Sequence, residues 1–217
     1  MTNTMTTHDA QRRLFAAALA IGGLAFATKA PAAALAASEH KHDAAPGLKI
    51  SMEEYTTPAI TVVRDDGRRV SLASEIDDGR PVLLNFIFTT CPGICPVMSQ
   101  VFSQFQERVG DEREKLHMVS ISIDPEQDTP QRLRAYAKKF SAGRQWQHYT
   151  GTVEASVQAQ RAFNAYRGDK MNHDPLTLMR SAPGKPWLRI EGFASPLVLV
   201  EQYVGLAALC ESKTAQK

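Results

Sequence analysis

One apolar run and the two cysteines that follow it constrain the fold most. Residues 82–88 read VLLNFIF, and Cys91 and Cys95 come directly afterwards. A continuous apolar run of this length is typical of a strand that is buried on both faces of a parallel sheet. The next segment has apolar residues at helical spacing, which predicts a helix over 96–109 with Pro96 in its first turn. A buried strand, a cysteine turn and a helix in succession predict an α/β fold.

The remaining patterns extend this unit along the chain. Further strands are predicted at 59–64, 69–72, 116–123, 145–149, 176–180 and 187–191, and further helices at 131–140, 152–166 and 197–210. The first two and the last two of these strands are spaced as β-hairpins, and 145–149 is predicted as an edge strand. We therefore expect an α/β sandwich with a mixed central sheet, flanking helices and β-hairpin additions. A strand that leads through a cysteine turn into a helix is the thioredoxin-like arrangement.

The N-terminal segment differs in kind from the rest. Arg12-Arg13 precedes the apolar stretch Leu14–Phe26, and small residues follow, which is the pattern of an export signal and hints at the twin-arginine route. The apolar stretch is shorter than the roughly 20 residues that a membrane-spanning helix needs, which favours cleavage. The predicted organisation is an export signal (1–37), a flexible linker (38–50), a thioredoxin-like domain (51–212) and a tail (213–217).

Charge and compartment narrow the possible functions. Without residues 1–37 the chain carries equal numbers of acidic and basic residues, so no basic stripe indicates a nucleic-acid partner. An exported chain, in the bacterial periplasm, meets an oxidising environment. Contact with a membrane is expected only through the N-terminal segment, if that segment stays uncleaved. Cys91 and Cys95 are then a disulfide, a reduced pair or a metal site.

The cysteine turn has two possible chemistries. A helix that begins at the turn is expected to lower a thiol pKa and to favour the thiolate, which is both a nucleophile and a metal ligand. A thioredoxin redox motif has two residues between its cysteines, whereas here there are three, including Gly93. The wider loop lets two thiolates converge on an ion as well as on each other. Two sulfurs under-coordinate most metals, so a third ligand should exist.

Three histidines are candidates for that ligand. His117 lies inside a predicted strand and is expected to be packed, and His148 lies near a predicted edge, where a surface position is expected. His173 lies in a polar loop that leads into the strand at 176–180, whose start should be near the cysteine turn. Cys91, Cys95 and His173 are therefore the predicted ligands. Two thiolates and one imidazole suit Cu(I) and can also hold Cu(II), whereas zinc usually takes four ligands.

Several motifs together resemble a known family. They are Asn85-Phe86, Thr90-Cys91-Pro92, Cys95-Pro96, Ser122–Glu126 with Asp128-Thr129-Pro130, and His173. Over about residues 55–210 the chain resembles the Sco/SenC family of copper-binding proteins. The resemblance implies a thioredoxin-like fold and copper bound at Cys91, Cys95 and His173. It also implies delivery of copper to the binuclear copper centre of a respiratory oxidase, or maintenance of that centre's cysteines in the reduced state. Around His173 the chain departs from the family, with Met171-Asn172 before it and Asp174-Pro175 after it.

Four other side chains near these motifs have more than one interpretation. Asp124 and Asp128 follow a central strand, and they are expected to cap a helix or to orient the metal ligands and contact the acceptor protein. Met98 and Met171 could offer thioethers to copper, but single methionines more often pack. Cys210, near the end of an apolar helix, is expected to be a buried thiol.

The sequence leaves more than one function open. The leading hypothesis is a copper chaperone that is not an enzyme, whose partner is a respiratory oxidase subunit or another periplasmic copper protein. The main alternative is a thiol–disulfide oxidoreductase that uses the same two cysteines without His173. A thiol peroxidase would need an arginine near the reactive cysteine, and none is close in sequence. A copper sensor would have the same sequence features as a chaperone.

Overall fold

A computed structural model describes residues 47–214, with side chains described as far as residue 208. The strands are β1 (Lys49–Glu53), β2 (Thr61–Arg64), β3 (Arg69–Ser71), β4 (Val82–Ile87), β5 (His117–Ser122), β6 (Trp146–Thr150), β7 (Leu176–Arg180) and β8 (Trp187–Glu191). The α-helices are α1 (Leu72–Ile76), α2 (Ile94–Arg108), α3 (Pro130–Lys139), α4 (Val153–Ala162) and α5 (Pro196–Thr214). Two 3₁₀ turns, Gly110–Lys115 and Lys170–Asn172, lie between them.

The strands form one mixed sheet in the order β1-β8-β7-β4-β5-β6-β2-β3. The pairs β4–β5 and β5–β6 are parallel, and the other neighbouring pairs are antiparallel. Every residue of β4 and β5 is buried, as expected for strands at the centre of a sheet that is covered on both faces. The predicted mixed sheet with hairpin additions is confirmed.

Helices cover both faces of this sheet. Side chains alternate along β4, so Leu83 joins one buried cluster and Leu84 joins the other. The first cluster includes side chains of α2, α3 and α5, and the second includes those of α1 and α4. The result is a three-layer arrangement in which β4, the cysteine turn and α2 follow one another at the centre.

Strand order contradicts one expectation. The strand at 146–150 was expected at the edge of the sheet, but β6 lies between β5 and β2, because the β2–β3 hairpin continues the sheet beyond it. His148 is accordingly fully buried, so its expected surface position is wrong. His117 is buried as expected. The edge strands of the sheet are β3 and β1, and β1 was not predicted from the sequence patterns.

At both ends of the predicted domain, elements of the structure extend beyond the predicted boundary. Strand β1 begins at Lys49, so the last two residues of the predicted linker (38–50) are in fact in the sheet, where each pairs with β8. Helix α5 reaches Thr214 and so includes the first two residues of the predicted tail. The predicted export signal and the rest of the linker lie outside the described residues, as does the side chain of Cys210. Within the part that is described, no helix is both long enough and apolar enough to cross a membrane.

Candidate metal centre

Three segments meet at one end of the sheet, and each carries a predicted site residue. The cysteine turn follows the carboxyl end of β4, and the loop with Asp124 and Asp128 follows the carboxyl end of its parallel neighbour β5. His173 directly precedes β7, which runs antiparallel to β4, so the start of β7 lies at the same end. This topology brings Cys91 and Cys95 to His173 although about 80 residues of chain separate them.

The cysteine turn holds both sulfurs against backbone donors. The N–H of Cys95 donates to Cys91 Sγ at 3.3 Å, and the N–H of Phe88 donates to Cys95 Sγ at 3.4 Å. Helix α2 begins at Ile94, so Cys95 is its second residue and Pro96 lies in its first turn, as predicted. Cys91 is 7% exposed and Cys95 1% exposed, and both are free thiols. Cys91 is therefore the sulfur that a partner reaches more readily.

His173 directs one ring nitrogen at both sulfurs. Its Nε2 lies 3.4 Å from Cys95 Sγ and 3.8 Å from Cys91 Sγ. Its Nδ1 lies 2.7 Å from the carbonyl oxygen of Lys170, which can only accept a hydrogen bond. A neutral imidazole that donates from Nδ1 has its lone pair on Nε2, so the nitrogen that faces the sulfurs is the one that can bind a metal.

The spacing of the three atoms fits one small metal ion. The two sulfurs and one ring nitrogen all lie within 4.8 Å of one another. An ion at about 2.3 Å from sulfur and about 2.0 Å from nitrogen separates S from N by about 3.5–3.7 Å at tetrahedral to trigonal angles. The observed sulfur–nitrogen distances are close to these values. Soft sulfur with imidazole is a donor set that suits copper.

Burial, rather than the helix terminus, dominates the titration of Cys95. Desolvation raises the pKa of the Cys95 thiol far above its usual range, with smaller contributions from Cys91 and Asp128. The expectation that the start of α2 lowers the pKa is therefore wrong for this cysteine. A bound metal ion shifts the equilibrium from thiol to thiolate, because a coordinated sulfur is deprotonated and the proton is released on binding.

Phe88 forms one wall of the site. The rim of the site, at Met171, is exposed. The ring of Phe88 packs edge-on against the ring of His173, with 5.1 Å between the ring centroids. Met171, two residues before His173, is 57% exposed, so the expectation that it packs is wrong. Met98 is buried in α2, as expected of a packing methionine. The three ligand atoms thus lie between an apolar wall and an accessible rim.

Asp128 fastens the cysteine turn to the loop after β5. This fully buried carboxylate accepts hydrogen bonds from the N–H and hydroxyl of Thr89, the latter at 2.6 Å, and from the hydroxyl of Ser122 at 2.6 Å. The cap of α3 is instead Thr129, whose hydroxyl accepts from the N–H of Arg132. Asp128 therefore orients the turn that carries the sulfurs and does not cap the helix with its side chain.

Asp124 acts on the histidine side of the site. Its carboxylate lies 2.6 Å from the ammonium nitrogen of Lys170, the residue whose carbonyl oxygen accepts from His173. Lys170 was not identified from the sequence. Its only local signal is its place three residues before His173, because the partner Asp124 is distant in the chain.

Comparisons with known proteins identify the family of this chain. The family described as SCO1/SenC matches residues 51–183, which is more than half of the chain. A SCO1 protein homolog of Bacillus subtilis is 32% identical over 114 residues, which are 51% of this chain and 58% of that protein. The chain thus spans little more than half the length of that relative.

Two solved structures extend the comparison to the fold. BsSco, described as a member of the Sco family of cytochrome c oxidase assembly proteins with a disulfide switch, superimposes with a TM-score of 0.61 at 25% identity, over 73% of this chain and 97% of that one. Arabidopsis thaliana ScoI with copper bound gives a TM-score of 0.59 at 23% identity, over 70% and 98% of the two chains. The predicted thioredoxin-like fold is confirmed by these neighbours. The match of the SCO1/SenC family over residues 51–183 shows that the chain belongs to that family.

Proposed function

We propose that this protein is a copper chaperone that carries one copper ion on Cys91, Cys95 and His173. The observation that carries the proposal is the convergence of the two sulfurs and His173 Nε2 within 4.8 Å. The copper bound to the Arabidopsis thaliana relative of the same fold supports the choice of metal. Copper is cargo in this proposal, and the acceptor is the binuclear copper centre of a respiratory oxidase or another periplasmic copper protein.

Release is proposed to follow ligand exchange at the rim. Three protein ligands leave one coordination position of the ion open. A side chain of the acceptor binds the ion there, from the exposed side near Met171. Cys91 is more exposed than Cys95, so we expect its bond to the ion to be replaced first. His173 stays oriented throughout, because its Nδ1–H is held by the carbonyl oxygen of Lys170.

Oxidation of the pair is proposed to switch copper binding off. In exchange with a partner disulfide, the two electrons and two protons of the thiols pass to that disulfide, which becomes two thiols, and the Cys91–Cys95 disulfide that forms leaves no thiolate for the metal at this site. The disulfide switch described for BsSco supports this link between redox state and loading.

Anaerobic titration of the reduced protein with Cu(I), against a chromophoric competitor, tests the proposal. We expect one ion to bind per chain. His173→Ala, Cys91→Ser and Cys95→Ser should each lower the affinity by more than the roughly 10–100-fold that loss of an outer hydrogen-bond partner costs. The exposed, remote Arg144→Gln variant is the control and should bind like the wild type. Absence of saturable binding, or wild-type affinity in His173→Ala, would contradict the assigned site.

A second candidate function is thiol–disulfide exchange that keeps a partner's metal-binding cysteines reduced. The adjacent free thiols favour it, because Cys91 is the more exposed and Cys95 lies within reach. Cys91 would attack a partner disulfide, forming a mixed disulfide and releasing one partner thiolate. Cys95 would then attack Cys91 Sγ, releasing the second thiol and leaving the Cys91–Cys95 disulfide. Exchange with a disulfide peptide that is unaffected by His173→Ala, in a protein without copper binding, would favour this function.

We propose that the protein is exported and that residues 1–37 direct its export. The paired arginines and the apolar stretch that follows them support this proposal. Residues 51–212 would then act as the copper-binding domain on the far side of the membrane, in the periplasm of a bacterium, either released after cleavage or held by the N-terminal segment. The N-terminal sequence of the mature protein in the periplasmic fraction tests both points.

A further inference from the structure

Lys170 contacts the candidate site through its backbone and through its side chain. We infer that Lys170 is a positioning residue, whose ion pair with Asp124 clamps the turn that carries His173 so that Nε2 faces the two sulfurs. For its consequence on copper the inference rests on the function proposed above. The clamp itself is a property of the metal-free protein and can be tested there.

The backbone of Lys170 makes the turn and the histidine ring one unit. Its carbonyl oxygen accepts from His173 Nδ1–H at 2.7 Å and from the backbone N–H of His173 at 3.3 Å. The 3₁₀ turn Lys170–Asn172 is itself capped by Asp169, whose carboxylate accepts from the N–H of Met171 at 2.8 Å. The direction of the imidazole therefore follows wherever this short turn is placed.

The side chain of Lys170 fixes that place against the sheet. Its ammonium nitrogen lies 2.6 Å from Asp124 Oδ2, and it also lies 5.6 Å from the centroid of the Phe88 ring. Asp124 is 5% exposed, and its N–H donates to the hydroxyl of Ser122 at the end of β5. A carboxylate this buried needs a charged partner, because an unpaired one is strongly unfavourable. The pair thus joins the histidine turn to the end of β5 and to the Phe88 wall.

The space beside the turn explains why one ion pair matters. A cleft of about 500 Å³ opens along Ala165–Lys170, between this segment and α4, and reaches His173. Packing on the cleft side therefore does little to hold the turn in place. The other ion pair of the segment, Arg167 with Asp174, joins two residues of the same loop and does not anchor it to the sheet. Among the residues that the structure describes, Lys170 with Asp124 is the ion pair that joins this loop to the segment after β5.

Lys170→Met tests the clamp because it removes the charge and keeps both the stem and the backbone carbonyl. The readout is the set of imidazole ¹H shifts of His173 in the full-length, reduced, metal-free protein, which the ring current of Phe88 displaces because the two ring centroids are 5.1 Å apart. We expect the wild type to show shifts displaced by this packing, and Lys170→Met to show shifts averaged toward those of an imidazole that does not face Phe88. We further expect a roughly 10–100-fold loss of Cu(I) affinity, the usual effect of losing a group that orients a ligand.

Matched variants separate the clamp from a general loosening of the loop. Asp124→Asn removes the same ion pair from the other side and should reproduce the averaged shifts. Lys170→Arg keeps the charge and should retain the wild-type His173 shifts. Arg167→Gln breaks the other ion pair of the loop and should leave the His173 shifts unchanged. Backbone amide spectra of each variant establish that it is folded.

The possible outcomes decide between the two proposals. Wild-type His173 shifts in folded Lys170→Met would overturn the clamp, as would an equal change in Arg167→Gln. Averaged shifts in Lys170→Met and Asp124→Asn, together with no copper binding by the wild type, would support the clamp and refute the chaperone function.

Discussion

At the scale of single residues, the burial of His148 changes the pKa of its imidazole. The ring is fully buried on β6 and stacks on Trp146 with 5.2 Å between centroids. Neither ring nitrogen has a hydrogen-bond partner among the described residues. Burial lowers the pKa of His148 to about 3. The ring is therefore neutral in the folded protein throughout the physiological range.

This burial makes the free energy of unfolding depend on pH. In the unfolded chain His148 has a pKa of about 6.5 and is protonated below that pH, whereas in the folded chain it stays neutral down to about pH 3. The free energy of unfolding therefore decreases as the pH falls from about 6.5 to about 3. The loss due to His148 is about 2 kcal/mol between pH 7 and pH 5.

We expect His148→Phe, which cannot be protonated, to remove this contribution. Denaturant unfolding of the reduced, metal-free protein at several pH values measures it, with the wild type as reference. His117, whose pKa burial also lowers, keeps its own contribution in both proteins. Parallel stability curves for wild type and variant would contradict the assignment.

At the scale of elements, the site depends on contacts between the ends of β4 and β5. Asp128 accepts from Thr89 in the cysteine turn and from Ser122 at the end of β5, so one carboxylate holds both segments. Hydrogen bonds to a charged acceptor contribute about 1.5–3 kcal/mol each, and they are not additive.

We expect Asp128→Ala to lower the free energy of unfolding by about 2–4 kcal/mol and to weaken copper binding. The neighbouring Thr129→Ala is a matched control. It removes the α3 cap and should cost about 1 kcal/mol without affecting copper. Denaturant melts and the sulfur-to-copper charge-transfer band measure the two effects. An intact band and wild-type affinity in Asp128→Ala would show that the turn needs no such fastening.

At the scale of the whole molecule, copper binding and folding are linked. The ligands come from the cysteine turn after β4 and from the loop before β7, so the site exists only when the sheet is assembled. A ligand that binds the folded state alone stabilises it by about 2.7 kcal/mol at a free concentration of 100 times its Kd.

We therefore expect Cu(I) to raise the thermal midpoint of the reduced protein. In the oxidised protein Cys91 and Cys95 offer no thiolates, so no such shift is expected, and His173→Ala should show a smaller one. Anaerobic calorimetry with and without copper measures all three. An equal shift in the oxidised protein would place the bound copper elsewhere in the chain.

Local patterns were sufficient where neighbours in sequence are also neighbours in space. The buried strand 82–88, the cysteine turn and the helix after it could be predicted because alternation, apolar content and Pro96 act within a few residues. His173 is about 80 residues from the cysteines and could be inferred only through the expected fold, because a thioredoxin-like sheet places the start of the strand at 176–180 near the cysteine turn.

Which distant segments of the chain become neighbours was decided by the tertiary structure alone. Whether β6 lies at an edge depends on where the β2–β3 hairpin pairs, and nothing within 145–149 encodes that, so His148 was misplaced. Lys170 was missed because its meaning depends on Asp124, 46 residues away. The sequence by itself determined the α/β class and which side chains could bind copper, because these follow from residue type and local spacing. Only the tertiary structure decided which nitrogen of His173 faces the sulfurs and what holds it there, because both depend on contacts between distant segments.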